Sequence, residues 1–223
     1  MPRPAPEFIL SLEREYAEFE LQFSIMLVSE EGGVPVRVEE LPPMPAPDLT
    51  QMRSQATTGT VVVLSLIALL AGSPHLRAVG CPSKVPGLGC NVGFALLYIE
   101  SILALVCLCG LMWADPGTLK RSQERCFPLP QSVLDRLRLQ QPLAGLENVY
   151  EGGNVYCVRC CIWRPDGTKA HHCSICERCV LDFDHHCGVF GRCIAGRGWR
   201  GNMCFYKGIL VCALAGLLTS LSS

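Results

Sequence analysis

Three stretches of the chain are apolar over lengths suited to crossing a bilayer, and the polar residues between them are unevenly spread. Residues 56–72, "ATTGTVVVLSLIALLAG", carry no charge and fall slightly short of the roughly 20 residues a span needs. Residues 92–114, "VGFALLYIESILALVCLCGLMWA", carry one charge, Glu100; a carboxylate inside a membrane is costly and faces protein or a cavity. Residues 203–223, "MCFYKGILVCALAGLLTSLSS", are a third candidate, with Lys207 near the start, where its stem can snorkel to the interface. The pattern predicts transmembrane helices 1 and 2 within 56–114, joined by a loop over 73–91. It predicts helix 3 over 203–223, with the C-terminal part of the protein incomplete. Ahead of the spans, Phe8, Leu12, Tyr16, Phe19 and Phe23 have the spacing of one helix face. An amphipathic helix over 7–28, docked on the body of the protein, is expected. Pro35, Pro42, Pro43, Pro45 and Pro47 make 31–55 a linker, so 1–55 reads as one N-terminal region.

Composition sharpens this picture. Hydrophobic residues are 49% and charged residues 17% of the 223 residues, which is apolar for a soluble protein. The net charge of −1 argues against a general nucleic-acid binder. The N-terminus lacks the basic flank and apolar core of a cleavable signal peptide. Basic residues are asymmetric: 73–91 holds Arg77 and Lys84, whereas 115–202 holds twelve, with Lys120, Arg121 and Arg125 after one span and Arg192, Arg197 and Arg200 before the next. Excess Lys and Arg near span ends stay on the cytoplasmic side. Residues 115–202 and 1–55 are therefore expected in the cytosol, and 73–91 in the lumen. An oxidising lumen would permit a Cys81–Cys90 disulfide.

Eight of the fifteen cysteines and four of the five histidines fall between 157 and 193. Mixed thiols and imidazoles at this density indicate metal binding rather than a disulfide framework. Cys157-x2-Cys160 and Cys173-x2-Cys176 have the two-residue chelate spacing for zinc; Cys176-x2-Cys179 overlaps the second pair. Twelve ligands are available: Cys157, Cys160, Cys161, His171, His172, Cys173, Cys176, Cys179, His185, His186, Cys187 and Cys193. Two closed tetrahedral sites use eight. Cys161 adjoins Cys160 and cannot easily share its chelate, and one histidine of each pair is spare for the same reason. One thiol remains, and Cys187 sits beside two histidines that follow Asp184. A spare thiol next to a spare imidazole and a carboxylate is the material of a nucleophilic site.

The run "DHHC" at 184–187, the preceding C-x2-C…HHC-x2-C-x2-C pattern, Cys193 six residues later and "DPG" at 115–117 directly after a span resemble the DHHC-type protein S-acyltransferases. The resemblance covers about 92–205. It implies an α-helical multi-span membrane protein with a small cytosolic two-zinc cysteine-rich domain, irregular with short β-hairpins, at about 154–202 between spans 2 and 3. Carried over by position, it implies one zinc on Cys157, Cys160, His172 and Cys179 and another on Cys173, Cys176, His186 and Cys193. Cys187 would be the nucleophile, His185 the base and Asp184 its orienting partner. The implied reaction moves a long-chain acyl group, palmitoyl above all, from acyl-CoA through a Cys187 thioester to membrane-proximal cysteines of substrate proteins. The partners would be acyl-CoA, those substrate proteins and the lipid bilayer, with no nucleic acid, in an endomembrane (ER or Golgi) or the plasma membrane.

The chain also departs from the family pattern. Gly188-Val189 stands where Pro-Trp is usual, Gly191-Arg192 where Asn-Asn is usual, and the threonine-rich motif after the last span is missing. Trp199, Asn202 and Phe205 are candidates for the family's aromatic and Asn positions. The rival expectation is a catalytically weak or inactive membrane-anchored zinc-binding adaptor of the same fold. Lys169, Arg192, Arg197 and Arg200 are candidates to meet CoA phosphates, or only enforce topology.

Overall fold

The computed structural model describes residues 37–80 and 88–222, which fall into two units divided after Pro42. In the first unit the described residues form one 3-10 turn, Val38–Glu40, closed by the Arg37 N–H donating to the Glu40 carboxylate at 3.0 Å. The helix expected over 7–28, Cys81 and the side chain of Cys90 lie outside the described residues.

The second unit is built on three long helices: α1 (Leu49–Gly80), α2 (Leu88–Trp113) and α5 (Met203–Ser222). Their segments Leu49–Leu76, Val92–Trp113 and Met203–Ser222 are long and apolar enough to cross a membrane. The first helix begins earlier than the apolar run alone suggests, inside the stretch read as a linker. Asp48 explains the start: its Oδ1 accepts the Gln51 N–H at 2.9 Å, an N-cap worth about 1 kcal/mol. The hydroxyls of Thr57, Thr58 and Thr60 donate back to the carbonyls four residues earlier at 2.9–3.0 Å. These polar side chains are thus satisfied within the helix and do not oppose an apolar surrounding.

Small residues set the approach of α2 to α5. A Cβ added at Gly110 would lie 2.4 Å from the Phe205 ring, and one at Gly208 would lie 2.5 Å from Cys107 Sγ. Without strong hydrophobic drive inside lipid, such close backbone packing holds helices together. Glu100 does face protein: its Oε1 accepts the Thr219 hydroxyl at 3.0 Å.

Between α2 and α5 lies the cysteine-rich domain. Asp115 starts it by accepting the Gly117 and Thr118 N–H groups at 3.1 and 3.0 Å. Burial works against that carboxylate, but these donors hold its pKa below the usual range. The turn aims the chain so that Thr118 bridges Val180 and the Leu119 N–H donates to Cys179 O at 2.8 Å. Two short helices follow, α3 (Gln123–Cys126) and α4 (Gln131–Arg138). Seven short strands come next: β1 (Val149–Glu151), β2 (Asn154–Cys157), β3 (Ile162–Trp163), β4 (His171–Cys173), β5 (Arg178–Val180), β6 (Phe183–Cys187) and β7 (Arg192–Ala195). They form antiparallel sheets β1-β2-β3, β4-β5 and β6-β7. Asn202, fully buried, pins the last strand to α5: it accepts the Ala195 N–H at 3.0 Å and donates to Cys193 O at 2.8 Å. The β6-β7 hairpin packs on the helices, placing Cys187, Phe190 and Ile194 in one cluster with Val63, Leu108, Leu111 and Ile209.

Candidate active site and metal centres

The three hairpins β2-β3, β4-β5 and β6-β7 share one turn. Each begins on a cysteine, Cys157, Cys173 or Cys187, and each reaches a positive φ four residues later, at Cys161 (53°), Glu177 (49°) and Gly191 (64°). In the first two turns the residue before the positive φ is a second cysteine, Cys160 or Cys176. In the third it is Phe190. Cys187 therefore occupies the place of a chelating thiol whose partner has been replaced by an aromatic ring.

Strand alternation sorts the remaining ligands. In β4-β5, His172 sits opposite Cys179, and both join Cys157 and Cys160 in a group whose ligand atoms all lie within 4.8 Å of one another. Cys173, next along the strand, turns to the other side and joins Cys176, His186 and Cys193 in an equally tight group. His186 and Cys193 face each other across β6-β7. Each group offers three thiols and one imidazole nitrogen, the donor set of a closed tetrahedral zinc site. Each imidazole has its outer nitrogen engaged: His172 Nε2 with Glu177 Oε2 at 3.0 Å, and His186 Nε2 with Gln55 Oε1 at 3.2 Å. Such partners fix the tautomer that gives Nδ1 to a cation. The thiols of one group also respond to each other: a hydrogen bond with Cys193 draws Cys176 down to about 5 and pushes Cys193 up. A divalent cation removes that conflict by favouring thiolate at every position.

Two members of the run stay outside both groups on the helix side. His185 and Cys187 are two residues apart on β6 and so share a face. Opposite His185 lies Ile194, fully buried in the same cluster as Cys187. Cys187 itself is 6% exposed. The ring of His185 meets Tyr206 of α5 edge-on, with centroids 5.6 Å apart. Its Nδ1 lies 2.7 Å from Asp184 Oδ2. Adjacent residues on a regular strand point to opposite faces, so this contact needs a break in the ladder. The break is present: between Phe183 and His185 the strand gains one residue over its partner, a bulge at Asp184. A carboxylate only accepts, so Nδ1 carries the proton and Nε2 keeps its lone pair.

Cys161 is elsewhere. It is buried, its Sγ donates to Val158 O at 3.4 Å, and burial pushes its pKa up to about 11. His171 stacks on Phe183 at 4.8 Å. Two of the arginines considered for phosphate are committed to protein. Arg192 donates through one guanidinium nitrogen to Met112 O and through the other to Ala114 O at 2.7 Å; it caps the C-terminus of α2, where the helix dipole favours a cation. Arg197 pairs with Asp182 at 3.1 Å. Sequence reasoning missed Glu177, Phe190 and Gln55. The repeated turn could have pointed to the first two, one place after and three places after a knuckle cysteine. No local signal marks Gln55, which meets His186 from 131 residues away.

Residues 150–223 match the family model of the DHHC palmitoyltransferases. The palmitoyltransferase ERF2 of Candida glabrata is 33% identical over 102 residues, 45% of this chain and 31% of that protein. ERF2 of Eremothecium gossypii is 30% identical over 172 residues, 70% of this chain and 42% of that protein. The human palmitoyltransferase ZDHHC3 is 30% identical over 149 residues, 65% of this chain and 43% of that protein. The chain thus spans less than half the length of each of these relatives. With two Cys3His groups, a DHHC strand packed on apolar helices and these matches, residues 150–223 form a domain of the DHHC palmitoyltransferase type.

Proposed function

We propose that this chain is a protein S-acyltransferase that carries a long-chain acyl group, most naturally palmitoyl, on Cys187. The observation that supports this best is the position of Cys187. It has the place of a metal-binding cysteine but no chelate partner, and it borders the apolar cluster of all three spans. His185 Nε2 takes the proton of Cys187, and the thiolate attacks the thioester carbonyl of acyl-CoA. The new Sγ–acyl bond forms as the bond to coenzyme A breaks, and the departing thiolate takes up a proton. In the second half-reaction His185 takes the proton of a substrate cysteine, whose sulfur attacks the acyl carbon and frees Cys187. Asp184 keeps the imidazole in the required tautomer and stabilises its cation.

The apolar chain would lie between the helices, where a mainly apolar cavity is lined by Val63, Ile67, Leu97, Ala104 and Ile209, with Glu100 on its wall. Each methylene buried there adds about 0.8 kcal/mol. Cys157, Cys160, His172 and Cys179 would hold one zinc, and Cys173, Cys176, His186 and Cys193 the other. Their role is to fold the domain. The basic asymmetry supports a cytosolic 115–202 and a lumenal 73–91, in an endomembrane or the plasma membrane.

The test is incubation of the purified chain with labelled palmitoyl-CoA. Hydroxylamine-sensitive label on the wild type, absent in Cys187→Ser, is expected. Two bound zinc ions with no such label would instead favour the inactive adaptor.

A further inference from the structure

Gln55 lies in α1, in the segment that can cross the membrane, yet its side chain reaches into the second metal group. Its Oε1 is 3.2 Å from His186 Nε2. The other ring nitrogen, Nδ1, faces Cys173, Cys176 and Cys193 Sγ at 3.5, 3.4 and 3.9 Å. An imidazole that offers Nδ1 to a cation carries its proton on Nε2, so its outer partner must be an acceptor, as the amide oxygen is. The same stretch of α1 is locked onto the hairpin. At Gly191, with φ +64°, an added Cβ would lie 2.0 Å from Met52 O. At Gly59 it would lie 2.6 Å from the Phe190 ring and from Val189 O. Gly188 leaves room beside Gln55 Nε2, with the nearest approach of an added Cβ at 3.7 Å.

The first metal group solves the same problem locally. His172 uses Glu177, five residues on, which Arg159 holds at 3.6 Å. The second group has no such neighbour on its own imidazole; its acceptor comes from a different part of the fold. We infer that Gln55 is a positioning residue for the second metal centre. By accepting the Nε2–H of His186 it fixes the tautomer that presents Nδ1 to the metal. It also ties the first span to the strand that carries Cys187, the residue after His186. This rests on reading the two groups as metal sites.

Metal release from the full-length chain in detergent micelles, read with a chromogenic chelator, tests it. The wild type releases two ions per chain slowly. Gln55→Leu, close in shape but without an acceptor, releases one ion about 10–100 times faster, and Gln55→Glu, which keeps an acceptor, stays slow. Glu177→Leu speeds one ion, and Glu177→Leu with Gln55→Leu speeds both. Gln55→Leu releasing like the wild type overturns the role of Gln55. So does Gln55→Glu releasing as fast as Gln55→Leu, because the acceptor would then not matter. One fast ion in the double variant overturns it too, because both residues would serve one site. A wild type with fewer than two ions strikes the metal reading itself, and with it this role.

Discussion

His185 and His186, adjacent in sequence, turn their Nδ1 atoms to opposite sides of one strand. Nδ1 of His185 lies 2.7 Å from Asp184 Oδ2, and that of His186 lies 3.4 Å from Cys176 Sγ. The two should therefore fail differently. On the proposed assignment His185→Ala removes the base and is expected to slow Cys187 acylation by about 10²–10⁴ while keeping two metal ions and protease resistance. On the same assignment His186→Ala removes a proposed metal ligand and should lose about one ion and become protease-sensitive. Metal analysis and limited proteolysis on both variants check this; the reverse pattern would mean that ligand and base have been exchanged.

Asp184 reaches His185 through a bulge, not through regular pairing. Asp184→Asn keeps the size and the bulge but can turn its amide NH2 toward Nδ1, which disfavours the Nδ1–H tautomer. A loss of about tenfold or more in acylation rate is expected, with both metal ions retained. Asp184→Asn acylating like the wild type would remove the orienting role.

Cys161→Ser isolates the other spare thiol. Cys161 donates to Val158 O and is buried at a positive φ, and that burial outweighs the nearby Arg121 charge and keeps its pKa raised. Thioester label should be unchanged in Cys161→Ser and absent in Cys187→Ser, and both should keep two metal ions. Mass mapping of the acylated peptide checks the assignment; label on Cys161 would sink it.

What was legible in the sequence had a local signature. The Cys-x2-Cys turns are short-range geometry, so the hairpins that carry Cys157, Cys160, Cys173 and Cys176 announce themselves. The split between His172 and Cys173 follows from strand alternation once β4 is drawn. The spans were legible from apolar length, but the start of α1 was not, because Asp48 and the threonine back-bonds extend the helix beyond its apolar run. For Arg192 the sequence leaves a phosphate contact and a topology signal both open, because charge alone says nothing of partners; the carbonyls at the end of α2 that take it are about 80 residues away. Gln55 and the Asp184 bulge depend on tertiary packing and register, and neither leaves a pattern in neighbouring residues.

Arg192 gives a prediction that separates fold from substrate. Arg192→Met removes charge-assisted bonds to Met112 and Ala114 carbonyls at the end of α2, each class of bond worth about 1.5–3 kcal/mol. The variant should unfold at a lower temperature in the absence of any acyl-CoA. A CoA phosphate contact predicts instead an unchanged melting temperature and weaker acyl-CoA binding. Thermal unfolding in micelles decides between them.

Gly110 and Phe205 set the spacing of α2 and α5, and a size exchange tests whether that spacing matters to the reactive strand. An added Cβ at Gly110 meets the Phe205 ring at 2.4 Å, so Gly110→Ala must push the helices apart or force the ring aside. Overpacking of this kind costs about 1–3 kcal/mol. Phe205 packs against the cluster that contains Cys187, so the displacement should reach the thiol. Gly110→Ala is expected to lower both the melting temperature and the rate of Cys187 labelling. Phe205→Leu should be mildly destabilising alone, because it removes ring packing. In Gly110→Ala combined with Phe205→Leu the smaller side chain makes room for the new methyl, so the double variant should be more stable than Gly110→Ala. A double-mutant cycle reads this as a coupling of about 0.5–3 kcal/mol. Strict additivity would mean that the two helices do not meet at these residues in the membrane.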